Sequence, residues 1–235
     1  YGQRPAPEEG NFFQKQWLQE YTIDDYNRLM AKNPKIYGAG DWAVSEAKDA
    51  NKSCFGGAAL DSDGTLYVLP DIHWKVAGPK EVVASFVDFL KRRNPLQFWS
   101  EKGHISKAWG PFLREQMMEE NVYNLITEVT PTRDKESRAQ SIRGRMSMMK
   151  VKFPAFASWW PAAMHELLMF PGGKADDFVD FIAHLGMGIN NMTRATTRAI
   201  PAREDLNVVR PITLAWVKES HKKRHVSVEV KYSGR

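Results

Sequence analysis

Apolar positions along this chain change spacing several times, and each change marks an element. IYGAGDWAV (36–44) and KSCFGGAAL (52–60) are short apolar runs rich in small and β-branched residues, and they predict strands. Asp61-Ser62-Asp63-Gly64 has the composition of a hairpin turn, and TLYVLPDIHW (65–74) is the expected return strand. Pro79 then opens a segment in which Val82, Val83, Phe86, Phe89 and Leu90 recur at helical spacing, and Asn94-Pro95 stops it. LQFWSE (96–101) reads as a short buried strand. A helix is expected over 105–120, an alternating strand over 123–130, and a helix with a basic face over 133–149. Residues 153–170 read as a loop followed by a short helix. Pro171-Gly172-Gly173 breaks that helix, and KADDFVDFIAHLGMGI (174–189) is amphipathic.

Three strands joined by tight turns, followed by alternating helices and strands, predict an α/β fold. Its mixed sheet would combine an antiparallel three-strand meander with parallel strands, and helices would flank it. Residues 36–190 read as one domain. Residues 1–10 have linker composition. Phe12, Phe13, Trp17, Leu18 and Tyr21 form an aromatic patch expected to dock on a neighbouring surface. The tail 191–235 lacks sustained periodicity until ITLAWV and VSVEVKY, which suggest a late hairpin.

Composition narrows the class. With 43% apolar and 26% charged residues over 235 positions, the chain is ordinary globular material. No apolar run approaches the ~18–20 residues of a membrane span, so no membrane partner is expected. The polar, Pro- and Gly-containing start is not a signal peptide. A single cysteine, Cys54, excludes an internal disulfide framework and a cysteine-based zinc site.

Charge adds a partner. Residues 191–235 carry ten Lys/Arg against four Asp/Glu, so the other 190 residues sum to −1 of the total +5. Within that near-neutral body, residues 133–152 hold seven basic and two acidic side chains. A basic stretch over a neutral body suits a polyanion, most commonly nucleic acid.

Several familiar motifs fail on context. Gly38-Ala39-Gly40-Asp41-Trp42-Ala43 has dinucleotide-fingerprint spacing, but only a short polar segment separates it from the next strand, where a helix is required. No phosphate-binding P-loop and no G-x-S-x-G are present. The six histidines never take zinc spacing, and His165 and His184 read as packing or surface residues on helical faces.

Carboxylates give a stronger pattern. Asp41 sits inside the first strand among small and apolar neighbours, where a carboxylate is costly unless paired or coordinating a metal. Glu101 ends the strand LQFWSE, and ligands collect at the carboxyl ends of strands in such sheets. Asp176 and Asp177 open the last amphipathic helix, with Asp180 one turn further on. Three have bland alternatives: an N-cap for Asp176, a helix-dipole partner for Asp177, a solvated strand end for Glu101; Asp41 is the hardest to explain in such terms.

IYGAGDWAV, CFGGAALDSDGTLYVL, QFWSE, TPTRDKESRAQSI and FPGGKADDFVDFIA together resemble the nuclease domain of the large terminase subunit of tailed bacteriophages, over roughly residues 8–190. The D-D-x-x-D after P-G-G-K and the basic D-K-x-x-R-A helix carry most of the resemblance, while GDWAVSEAKD follows the family pattern loosely. The resemblance implies an RNase H-like fold, with clustered carboxylates holding two Mg²⁺ or Mn²⁺ ions. It also implies endonucleolytic cutting of double-stranded viral DNA concatemers, with little sequence preference, during genome packaging.

By resemblance, Asp41, Glu101 and one or both of Asp176 and Asp177 are the metal ligands. Asp177 shares a face with Phe181, which directs it toward the sheet, so it is expected as the direct catalytic ligand. Asp176 would be auxiliary and Asp180 more distant. Arg133, Lys135, Arg138, Arg143 and Arg145 would contact DNA phosphates, with Arg138 and Arg145 a heptad apart on one face. Residues 1–35 would be a lead-in from an ATPase domain of the same polypeptide lying outside this chain, and 191–235 a basic C-terminal tail. No ATPase activity is expected of the chain itself. Portal and small terminase subunit are further partners the family implies, and the host cell cytoplasm is the implied location. The alternatives are another RNase H-like nuclease, of resolvase or transposase type, and a non-catalytic module that docks on DNA or a partner protein.

Overall fold

A computed structural model describes residues 12–43, 52–102, 110–130 and 134–196. The chain divides into two compact units, Tyr1–Thr193 and Arg194–Arg235, and the described residues fall almost wholly in the first. The expected linker over 1–10 and the expected late hairpin beyond 196 lie outside the described residues, as does Arg133.

Eight strands form one mixed sheet. They are β1 (Gln19–Tyr21), β2 (Lys35–Asp41), β3 (Ser53–Leu60), β4 (Leu66–Val68), β5 (His73–Lys75), β6 (Gln97–Glu101), β7 (Ile126–Val129) and β8 (Val151–Pro154). The spatial order is β1-β8-β4-β3-β2-β6-β7, with β5 also paired to β3. The expected meander is present: β3 runs antiparallel to β2 and to β4, and Gly64 closes the β3–β4 turn with φ +81°. β6 pairs parallel with β2, and β7 parallel with β6.

Two strands depart from the sequence expectation. The return segment 65–74 breaks into β4 and β5 around Pro70, which has no N–H for the ladder. The loop expected from residue 153 is preceded and entered by β8, which pairs parallel with both β4 and β1. The aromatic patch expected to dock on a neighbouring surface does so within this same unit: Phe12, Phe13, Leu18 and Tyr21 are buried, and β1 extends the sheet. Residues 12–35 therefore contribute a strand and a helix, α1 (Ile23–Met30), to the packed unit.

Helices cover both faces. α2 (Pro79–Arg93) takes the span its apolar spacing predicts, and with α3 (Gly110–Glu119) it covers one face through Val82, Phe86, Phe89 and Leu113. α4 (Lys135–Ser147), α5 (Trp160–Met169) and α6 (Asp177–Thr196) cover the other, where Ile142, Leu167, Phe178, Phe181 and Leu185 pack on Ala39, Cys54, Ala58 and Trp99.

Candidate metal centre

Alternation along the strands decides which face each acidic residue takes. In β2, Tyr37 and Ala39 face α6, so Asp41 does too; in β6, Trp99 faces α6, and Glu101 follows it by two. β2 and β6 are adjacent and parallel, and their pairing runs to Gly40↔Ser100. Asp41 and Glu101 come next, side by side at the carboxyl edge of the sheet. α6 lies across that edge and brings His184 to them. One ligand atom from each of Asp41, Glu101 and His184 lies within 4.8 Å of the other two.

His184 is 1% exposed, and its Nε2 stands 3.8 Å from Glu101 Oε2. The sequence leaves this residue as a packing or surface histidine on a helical face; it is buried, and what it is buried against is the pair of carboxylates. The available signal was its phase: His184 follows Asp177 by seven residues and Asp180 by four, so all three share one stripe of α6.

Asp177 begins that stripe, two turns earlier. It is buried beside Trp74 and the backbone of Lys52 rather than in the three-residue cluster. Burial raises its pKa; Trp74 and the Lys52 N–H oppose the rise, and Asp176 adds to it. Cys54 lies opposite Asp41 in the β2–β3 ladder. Its thiol is raised well above the usual range, first by burial and then by the charges of Glu166, Asp177 and Asp41. Each of these three carboxyl groups therefore lies within electrostatic reach of Cys54.

Asp176 pairs with Lys135, whose ammonium is held protonated by that contact. Asp180 pairs with Arg138 at 2.6 Å, both side chains nearly buried, and burial raises the Asp180 pKa against the pull of the guanidinium. Glu166 of α5 caps the first turn of α6. Its Oε1 accepts from Phe178 N at 2.7 Å and Val179 N at 3.0 Å, and burial drives its pKa up to about 7.

The basic helix uses its arginines internally. Arg138 is buried against Asp180. Arg143 donates to the Phe12 carbonyl and stacks its guanidinium 4.9 Å from the Phe12 ring. Arg145 donates to Asn190 and to the Gly64 carbonyl. The face that carries Arg138 and Arg145 is thus engaged with the protein itself, Arg138 buried and Arg145 half-buried. Of the expected phosphate contacts among the described residues, Lys135 is the one left exposed, while Lys52 and Lys102 are exposed lysines in or next to the strands of the site.

No family model matches the sequence, and no curated protein matches it. Solved structures do match. The human cytomegalovirus terminase nuclease domain aligns with 78% of this chain and 97% of its own, at TM-score 0.54 and 10% identity. The P22 large terminase nuclease domain covers 81% and 95%, at 0.50 and 15%. A point mutant of the gp2c fragment of the bacteriophage Sf6 large terminase subunit, solved with calcium, covers 75% and 98%, at 0.50 and 12%. The fold is RNase H-like, a mixed sheet between two helical layers. Within that class it resembles the nuclease domains of viral terminases.

Proposed function

We propose that this chain is a metal-dependent endonuclease domain that cuts double-stranded viral DNA concatemers, with little sequence preference, during genome packaging. The observation that carries the reading is the convergence of Asp41 and Glu101 at adjacent parallel strand ends, under a helix that opens with Asp177 directly after Asp176. The donor set fits a divalent cation: two carboxylates and an imidazole reach a common point. Asp41 and Glu101 would hold one Mg²⁺ or Mn²⁺, and Asp177, with Asp176 as auxiliary, would serve a second. Two such ions supply the charge that activates a water and stabilises the leaving 3′-oxygen.

The chain's own residues do the rest. The sheet edge fixes Asp41 and Glu101, and the Glu166 cap fixes the start of α6. The exposed lysines Lys52, Lys102 and Lys135 would meet phosphates, which gives backbone contact without base readout. Affinity for DNA should therefore fall steeply with salt and change little with sequence. ATP hydrolysis would belong to an ATPase domain of the same polypeptide, with 191–235 as a basic tail; residues 12–35, expected as a lead-in from that domain, pack into this unit instead. Portal and small terminase subunit would be further partners, in the host cytoplasm. Among the described residues no helix is long and apolar enough to cross a membrane.

Plasmid cleavage by the purified chain tests this. Cutting should require Mg²⁺ or Mn²⁺, stop in EDTA and proceed without ATP. Cutting confined to branched DNA or to one sequence would favour the resolvase or transposase alternative. Binding without any cutting would favour the docking module.

A further inference from the structure

Two of the three groups at the strand ends are carboxylates, which suit any hard divalent ion. The third is an imidazole, and its chemistry is different. We propose that His184 is a direct nitrogen ligand of one ion and that it biases this centre toward Mn²⁺ over Mg²⁺. The proposal rests on the reading of Asp41 and Glu101 as metal ligands and goes beyond it.

Geometry supports a ligand. His184 is 1% exposed and brings a ring nitrogen within 4.8 Å of a carboxylate oxygen of both Asp41 and Glu101, with Nε2 at 3.8 Å from Glu101 Oε2. That separation exceeds an N–H···O hydrogen bond, whose range is about 2.7–3.2 Å. It falls within the span of ligands on a common ion, about 3 Å apart when neighbouring and about 4 Å when opposed, at bond lengths of about 2.1 Å. The helix cannot easily withdraw it. Gly188, one turn beyond His184, packs so closely that a Cβ there would lie 2.1 Å from the Trp99 ring. Trp99 stands two residues before Glu101 on β6, so this contact fixes helix and strand together next to the cluster.

Selectivity follows from ligand chemistry. Mg²⁺ takes oxygen ligands in strict octahedral geometry and keeps several waters. Imidazole nitrogen suits first-row transition ions, and Mn²⁺, though the weakest binder of that series and at home with oxygen ligands, belongs to it while Mg²⁺ does not. Replacing one carboxylate of an acidic centre by a neutral imidazole also removes a negative charge, which weakens the hold on Mg²⁺ most because that hold is largely electrostatic.

Pulsed EPR of Mn²⁺ on the whole chain tests the ligand without relying on activity. Wild-type protein should show strong ¹⁴N modulation, and histidine labelled with ¹⁵N should convert it to the ¹⁵N pattern with no mutation at all. His184→Asp should keep Mn²⁺ and lose the nitrogen signal. By calorimetry its Mn²⁺-to-Mg²⁺ affinity ratio should fall by about tenfold or more, since even outer partners of a ligand are worth about 10–100-fold. Where His184→Asp does not fold, His184→Gln and the labelling serve instead. Mn²⁺ that binds, is lost in Asp41→Ala, and shows no histidine nitrogen in the wild type overturns this proposal and leaves the carboxylate reading standing. A wild-type chain that binds no Mn²⁺ overturns both.

Discussion

The indole N–H of Trp42 donates to Ser100 Oγ at 2.5 Å across the ends of β2 and β6. Trp42 follows Asp41, and Ser100 precedes Glu101. The bond lies on the α2 side of the sheet, where Trp42 packs on Phe86 and Phe55, while the two carboxylates lie on the α6 side. It ties the strand ends where two like charges would push them apart. Ser100→Ala would leave the buried indole N–H short of this acceptor, at a cost of about 1–3 kcal/mol. Mn²⁺ affinity should fall with it, and Trp42→Phe should act in the same direction. Thermal unfolding and Mn²⁺ calorimetry on both variants check this; unchanged affinity despite lowered stability would show that the tie does not set the site.

The carboxylates should separate by role. Asp41→Ala and Glu101→Ala should each abolish plasmid cleavage while the fold persists. Asp177→Asn should also abolish it, because Asp177 is buried on the stripe of α6 that brings His184 to Asp41 and Glu101. Asp176→Asn should weaken it less, since Asp176 lies at the rim and already pairs with Lys135. Cleavage rates against Mn²⁺ concentration give the order, and a dead Asp176→Asn beside an active Asp177→Asn would reverse the assignment.

Much of this was legible along the chain because it rests on local pattern. α2 is the clearest case, with Pro79 at its start, Asn94-Pro95 at its end and apolar residues at helical spacing. Asp41 was legible as a carboxylate inside an apolar strand, and Glu101 as one at a strand's carboxyl end. What escaped depends on distant pairing. β1 and β8 are three and four residues long, too short for alternation to register, and exist as strands through their parallel pairing across more than a hundred residues. His184 joins the site only because α6 crosses the sheet edge at one angle. Arg138 and Arg145 were correctly placed on one face, but sequence does not say whether a face with two arginines meets water or Asp180 and Asn190.

The Arg138–Asp180 pair gives a stability prediction that also tests whether Asp180 is a ligand. Both side chains are about nine-tenths buried. Removing one partner of such a pair strands the other charge, typically at about 3–5 kcal/mol. Asp180→Ala should therefore unfold at markedly lower urea concentration in EDTA. Arg138→Met combined with Asp180→Leu should recover much of the loss. Cleavage by the double variant would exclude Asp180 from the metal set.

Glu166 makes stability depend on pH. Burial raises its pKa from 4.5 to about 7, against the Phe178 and Val179 N–H groups that favour the carboxylate, while Asp177 and Asp176 push it up further. Between these values the unfolded chain has lost the proton and the native one keeps it, so stability falls as pH rises from 4.5 to about 7, by roughly 3 kcal/mol, and stays low above. Asp177 and Asp180 are shifted in the same direction and add to the slope. Glu166→Gln keeps an acceptor for the helix cap without a charge. In EDTA it should match wild type near pH 4.5 and melt higher at pH 8. Glu166→Ala, which loses the acceptor, should melt lower at both.

Two glycines in helices should respond oppositely to the same substitution. Gly144 lies within α4, and a Cβ built there meets nothing within 4 Å. Gly144→Ala should therefore stabilise by about 1 kcal/mol, the ordinary helix-propensity gain. Gly188→Ala gains the same propensity but drives its methyl to 2.1 Å from Trp99, which is 3% exposed and stacked on Tyr37 with ring centroids 5.7 Å apart. Such a ring has no room to yield, so α6 must lift from β6. Overpacking of this kind costs about 1–3 kcal/mol, enough to cancel or exceed the propensity gain. The displacement falls one turn from His184 and two residues from Glu101. Gly188→Ala should therefore weaken Mn²⁺ binding out of proportion to its effect on urea unfolding, whereas Gly144→Ala should leave Mn²⁺ binding as it is. Equal Mn²⁺ affinities for the two variants would mean that the contact between Gly188 and Trp99 packs the core without setting the distance from helix to strand at the metal centre.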